Sequence, residues 1–190
     1  HLWSEKKGKI LVTEMDHHSN ILPWRFMVRG TKKFELEYVR VTEDGKLDLD
    51  DYRRKLTRDT VGVAFPGISN VLGTVNPVKE MTELAHEKGA LVIVDGAQWL
   101  PHRLFEVTEF DVDFLTFSAH KMLGPTGLGV LYGKEDLLNQ MPPPFGGGEM
   151  VLNVTEREVK WNEPPQKFEP GTPPISEIIS FGSALDYLEN

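Results

Sequence analysis

The chain has 190 residues, 39% hydrophobic and 26% charged, with a formal net charge of −8. That composition describes a globular chain of one domain, or the core of a larger one, and excludes intrinsic disorder. The acidic balance argues against a general binder of nucleic acid or anionic membrane, and zero Cys excludes disulfides, thiolate metal sites and a Cys nucleophile within these residues.

Taken in chain order, Lys9 to Thr13 reads as a strand, followed by a helix capped at Asn20 and closed by Gly30. Phe34 to Val39 alternates apolar and polar residues, the periodicity of a strand. Asp48 caps a helix through Leu56, and Val61 to Phe65 is a strand of the buried type. Asn76 and Pro77 form a cap and first-turn pair, opening a helix that Gly89 ends. Ala90 to Asp95 is a continuous apolar strand ending in an acid; Val112 to Phe117 and Leu128 to Tyr132 are two more strands. This order predicts an α/β core with a mostly parallel sheet flanked by helices. From Met141 to Pro174 the chain is rich in Pro and Gly, which predicts a loop-rich extension over 141–175. Short strands are expected there near Val159 to Trp161 and Gln166 to Glu169, with a last helix over about Ser176 to Leu188. No apolar run reaches the length of a membrane span and no signal peptide is visible, so a cytoplasmic protein is expected.

Several residues at predicted strand ends can carry chemistry. Lys121 lies in Ser118-Ala119-His120-Lys121, just beyond a strand and before Gly124-Pro125-Thr126-Gly127. Ligands of open α/β sheets bind beyond the carboxyl ends of strands, so Lys121 is placed to form a Schiff base. Read alone, it is more often a solvated loop lysine, since most lysines are exposed. Asp95 either caps a helix or pairs with a cation on a cofactor such as pyridoxal phosphate (PLP), with Gln98 able to bond a phenolic oxygen. Asp16-His17-His18 has three readings: a metal site completed by Asp95, as in metal-dependent phosphoesterases; an imidazole stacked on an aromatic ring; or an ordinary capped loop. Asn70 sits in the strand-end loop Ser69 to Thr74, a turn or a ligand contact. Gly171 and Thr172, in Glu169-Pro170-Gly171-Thr172-Pro173, make a tight loop able to hold a phosphate.

In this order the motifs resemble the class V aminotransferase family of PLP enzymes, most closely its cysteine desulfurases. The residues that carry the resemblance are Met15-Asp16-His17-His18-Ser19-Asn20 with Pro23-Trp24, Ser69-Asn70-Val71-Leu72-Gly73, Asp95-Gly96-Ala97-Gln98, Ser118-Ala119-His120-Lys121 with Gly124-Pro125-Thr126-Gly127, and Phe168 to Pro173. The resemblance implies the large domain of a fold-type I PLP enzyme over 1–190, incomplete because the family's chains extend further at both ends. It implies that Lys121 is the Schiff-base lysine and His17 the stacking catalytic imidazole. Asp95 would pair with the pyridinium, Gln98 with the phenolic oxygen, and Ser118 and His120 with the phosphate. Asn70 would line the pocket, and Gly171 and Thr172 would reach across a homodimer interface. The implied substrate is L-cysteine, with sulfur passed as a protein persulfide to an acceptor or scaffold protein in iron–sulfur cluster assembly. Pro66-Gly67-Ile68 stands where desulfurases of this group often carry a His. Selenocysteine lyase, epimerase and aminotransferase activities share the motifs, and a non-catalytic scaffold is a further alternative. The 190 residues by themselves are expected to be inactive, since they hold no Cys to receive the sulfur.

Overall fold

A computed structural model describes residues 2–3 and 6–189. Strands and helices alternate along the first two-thirds of the chain. They are β1 (Gly8–Thr13), α1 (His18–Gly30), β2 (Phe34–Val39), α2 (Leu49–Lys55), β3 (Thr60–Pro66), α3 (Val78–Glu87), β4 (Leu91–Asp95), α4 (Val107–Phe110), β5 (Phe114–Ser118) and β6 (Gly129–Gly133). The six strands form one sheet in the order β2-β1-β3-β4-β5-β6. Strands β1 to β5 pair in parallel, and β6 runs antiparallel against β5. This is the mostly parallel α/β architecture that the alternation of elements predicts.

The chain moves outward from β1 to β2 and then returns past β1 to β3 and β4. With crossovers of one hand, outward and returning helices lie on opposite faces of the sheet. Trp24 and Met27 of α1 pack with Ile10, Val12 and Ala64 on one face. Tyr52 of α2 and Met81 and Ala85 of α3 pack with Leu11, Val63, Phe65, Val92 and Val94 on the other. Every residue of β3 is buried, as its covered, central place requires. The buried Tyr52 hydroxyl donates to the Met81 carbonyl at 2.7 Å, joining α2 to α3. The start of α2 is held by Asp51, whose side chain accepts from the Arg40 amide at 3.0 Å and from Lys55 Nζ at 2.7 Å, and also pairs with Arg54. Burial pushes the Asp51 carboxyl up, but Lys55, the Arg40 amide and Arg54 outweigh it and bring it down to about 2.

A second charge cluster ties together the edge of the sheet where β4 and β5 begin. Asp113 Oδ2 accepts the Val92 amide at 2.7 Å and faces His86 Nε2 at 2.9 Å, while its Oδ1 meets Lys134 Nζ at 2.9 Å. Asp111 adds a contact with Lys134 Nζ at 2.7 Å. One buried carboxylate thereby connects the end of α3, two strand starts and the residue after β6.

The remaining chain forms α5 (Glu135–Gln140), a two-stranded antiparallel sheet of β7 (Val151–Val154) and β8 (Val159–Trp161), and α6 (Ile175–Glu189). The expected strand over Gln166 to Glu169 is corrected: Gln166–Phe168 is a 3-10 turn. Two prolines precede it, which lack the amides a ladder needs. Lys167 in that turn is buried and donates to the carbonyl of Asn139 at 2.9 Å at the end of α5. Two cap assignments also shift. His17 rather than Asn20 caps α1, and Pro77 is the cap of α3, so Asn76 lies outside the helix. The Asn76 side chain is buried and donates to the Pro66 carbonyl at 2.7 Å. Among the described residues, no helix is long and apolar enough to cross a membrane.

Candidate active site

Parallel strands deliver their following loops to one edge of a sheet. Ligands bind at that edge, near the place where successive connections diverge in direction. Here the divergence lies between β1 and β3, because the chain leaves β1 toward β2 and leaves β3 toward β4. A cavity of about 610 Å³ opens along the same edge, lined by His17, Ser19 and Asn20 after β1, Asp95 and Ala97 at and after β4, and Thr116 to Ser118, His120 and Lys121 at and after β5. Its size falls in the range of roughly 300–1,000 Å³ usual for small-molecule sites.

Each wall has a local cause. Asp95 ends β4, and its Oδ1 accepts the Ala97 amide at 2.9 Å. Asp95 thus caps a turn and not a helix, since the next helix begins only at Val107, and a carboxylate has acceptor capacity left after one such bond. Beneath that turn the Trp99 ring is buried, edge-on to Phe105 and Phe110, with its Nε1 donating to the Leu104 carbonyl at 3.0 Å.

Lys121 and His120 sit on a single 3-10 turn, Ala119–Met122, that follows β5 directly. The turn ends at Leu123, whose φ of 60° lies in the left-handed region that non-glycine residues seldom adopt. Gly124 comes next, where a Cβ would stand 2.6 Å from Phe181 and 2.8 Å from the Ala119 carbonyl. Only a residue without a side chain lets α6 pack so closely under the lysine turn, through Phe181 and Ala184 against Ala119 and Met122. Lys121 and His120 themselves are exposed to the cavity opening.

The β1–α1 turn presents His17, whose Nδ1 lies 2.7 Å from Ser19 Oγ and 3.2 Å from the Ser19 amide. Behind it Asp16 is buried, 8% exposed. Its Oδ2 accepts the Thr13 amide at 2.6 Å and the Thr13 hydroxyl at 3.0 Å, and its Oδ1 accepts Asn20 Nδ2 at 2.9 Å. Burial raises the Asp16 carboxyl to about 7 against the pull of Thr13 and Asn20, and the nearby charge of Asp95 adds to the rise. Among the described residues no group of three or more His, Cys, Asp and Glu is disposed to hold a metal ion. The Asp16-His17-His18 tripeptide builds the turn between β1 and α1.

Of the site residues expected from the sequence, the fold brings His17, Asp95, Ser118, His120 and Lys121 to one cavity. Asn70 is exposed on the loop after β3, and Gln98 is half-buried on the turn beyond Ala97; neither lines the cavity. Gly171 and Thr172 line a separate hollow of about 290 Å³ with Gly127, Glu169 and Ile178. Sequence reasoning passed over Thr116, Ser19 and Asn20 as wall residues. Thr116 was within reach, because it lies two residues before Ser118 on the same strand and so on the same face. The assembled groups are a carboxylate, a primary amine, two imidazoles, three hydroxyls and an amide. That donor set fits a ligand bearing a cationic ring, a carbonyl that an amine can attack and an anionic group.

Comparison with known proteins agrees with this geometry. The chain is 45% identical over 181 residues to a cysteine desulfurase of Haloferax volcanii, covering 95% of this chain and 42% of that protein. It is 47% identical over 182 residues to a probable cysteine desulfurase of Halalkalibacterium halodurans, covering 96% of this chain and 45% of the relative. It thus spans less than half the length of these relatives. Among solved structures, a cysteine desulfurase from Escherichia coli superposes with a TM-score of 0.93 at 34% identity, over 97% of this chain and 46% of that one. The apo cysteine desulfurase of Thermococcus onnurineus gives 0.90 at 36% identity, over 97% and 46%. The model of the aminotransferase class-V family matches residues 1–190, and with these relatives and this sheet-edge site the chain belongs to that family.

Proposed function

We propose that these residues form the cofactor-binding large domain of a PLP-dependent cysteine desulfurase, which converts L-cysteine to L-alanine and a protein persulfide. The observation that carries the proposal is the meeting of Lys121, Asp95, His17, Ser118 and His120 around one cavity, in a chain 45% identical to a desulfurase. The chemistry PLP supplies when bound is an electron sink for a deprotonated amino acid. With the cofactor bound, Asp95 would hold the proton on the ring nitrogen through its negative charge. His17 would stack on the ring, and Ser118 and His120 would hold the phosphate. Lys121 Nζ would anchor the cofactor and move the proton at the substrate Cα, as a positioned amine within reach of that atom can. Asn70 would stand near the ring and substrate and Gln98 would bond the phenolic oxygen, while Gly171 and Thr172 would serve the site of a partner subunit in a homodimer. The sulfur goes to a thiolate outside these 190 residues, which contain no Cys, and then to an acceptor protein of iron–sulfur cluster assembly in the cytoplasm.

The test uses the full-length protein. PLP is added, the covalent attachment is reduced with borohydride, and the labelled peptide is mapped. The expected label is on Lys121, with alanine released from L-cysteine and both signals lost in Lys121→Ala. A label on Lys134 or another lysine, or a protein that makes no alanine, refutes the proposal.

A further inference from the structure

Resting on the reading of this cavity as the cofactor site, we propose that Asp16 is a positioning residue: its single carboxylate, shared between Thr13 at the end of β1 and Asn20 in α1, sets the angle at which His17 is presented to the cavity. Asp16 does not line the cavity; it lies behind the wall that His17, Ser19 and Asn20 form. Its three hydrogen bonds join the last residue of a buried strand to the first turn of an exposed helix. His17 lies between those two anchors, and among the described residues its side-chain hydrogen bonds reach Ser19 alone. The backbone closes each half of the turn separately, with the Asp16 amide on the Thr13 carbonyl at 3.3 Å and the Asn20 amide on the His17 carbonyl at 2.9 Å. The Asp16 carboxylate spans both halves, from Thr13 of β1 to Asn20 of α1.

The chemistry of the side chain matters. A carboxylate offers acceptors on both oxygens, as the Thr13 and Asn20 donors require. An amide in its place has one oxygen, so either the Thr13 pair or Asn20 would face an N–H donor. The groups that face Asp16 are Thr13 from β1, Asn20 from α1 and the Asp95 carboxylate from β4. A cation held against Asp95 would remove the repulsion between the two acids, favour ionised Asp16 and tighten all three bonds. Loading the cavity and fixing His17 are coupled in this way.

The experiment compares Asp16→Asn with wild type and with Asp51→Asn in the full-length protein. Asp51→Asn weakens the fold at α2, away from the cavity. The readouts are the His17 imidazole resonances in the PLP-free protein, PLP affinity by absorbance titration, and the thermal midpoint. Asp16→Asn is expected to shift the His17 resonances and weaken PLP binding about tenfold, the scale of one charge-assisted hydrogen bond. Asp51→Asn is expected to lower the midpoint and move neither of the other two signals. His17 resonances and PLP affinity unchanged in Asp16→Asn would overturn the proposal. If Asp16→Asn does not fold, Thr13→Val takes its place; it removes one of the three bonds, with an expected shift of the same direction and a two- to threefold loss of affinity on the same scale. A Thr13→Val variant that matches wild type in both readouts overturns it equally. If wild type itself bound no PLP, the cofactor reading would fail, while the His17 resonances would still decide the role of Asp16.

Discussion

Asp51 offers a direct test of how charge holds this fold together. Its side chain is 2% exposed, and its carboxyl is brought from 3.8 to about 2 by Lys55, the Arg40 amide and Arg54, against the opposing effect of burial. A depression of nearly two units corresponds to about 2.5 kcal/mol at roughly 1.4 kcal/mol per unit. Arg40 and Arg54 are both 59% exposed, so solvent screens part of that attraction. About 1.5–2 kcal/mol remains as the expected loss in Asp51→Asn at pH 7. The sign follows from linkage. A carboxyl depressed in the folded state contributes its stability fully above its unfolded value near 4, and loses it as pH falls through 4 toward 2. The gap between wild type and Asp51→Asn should therefore be widest at pH 7, unchanged down to about pH 5, and closing below pH 4. Urea unfolding followed by tryptophan fluorescence across that range measures it. A gap that stays constant to pH 3, or one absent at pH 7, would show that charge attraction is not what Asp51 supplies.

Three further outcomes follow from other parts of the molecule. Asp113→Ala leaves the buried Val92 amide without its acceptor and Lys134 and His86 without their buried partner, and should lower stability by about 3 kcal/mol in urea unfolding. Gly124→Ala forces a methyl group against Phe181 and the Ala119 carbonyl; a loss of roughly 1–3 kcal/mol in thermal unfolding is expected, with PLP bound more weakly because the lysine turn must move. Asp95→Asn should keep some PLP but lose most alanine formation from L-cysteine, and wild-type turnover would leave Asp95 as no more than the cap of the turn at Ala97.

The sheet was legible because its strands are apolar runs separated by helix-length polar stretches. Leu91 to Asp95 and Phe34 to Val39 sit where the residue pattern places them. The elements that escaped, α4, α5 and β7, have four, six and four residues, too few to show a period. The 3-10 turn over Gln166–Phe168 escaped because an alternating pattern there has no strand beside it to pair with. At the site, the strand-end residues Asp95 and Lys121 could be placed from the sequence, since a parallel sheet sends all its carboxyl ends to one edge. Asp16 could not be understood that way. Its meaning depends on Asn20 and Thr13 lying on either side of it in space, and on Asp95, nearly eighty positions away, standing close enough to repel it. Asn76 shows the same limit: its spacing before α3 suggests a cap, yet its side chain turns to Pro66 instead.

The carboxylate of Asp113 has a consequence for how such a molecule can change over time. It clamps β4 and β5 at their beginnings, while Asp95 and Lys121 stand at and beyond their far ends. The two strands are thus moored at one end and work at the other. Substitutions in the loops at the cavity end can alter what the cavity accepts without loosening the mooring. Substitutions around His86, Asp113 and Lys134 can raise or lower the temperature range of the protein without redrawing its chemistry. Durability and ligand choice are thus set largely at opposite ends of one sheet, with Gly124 under the lysine turn a position that serves both.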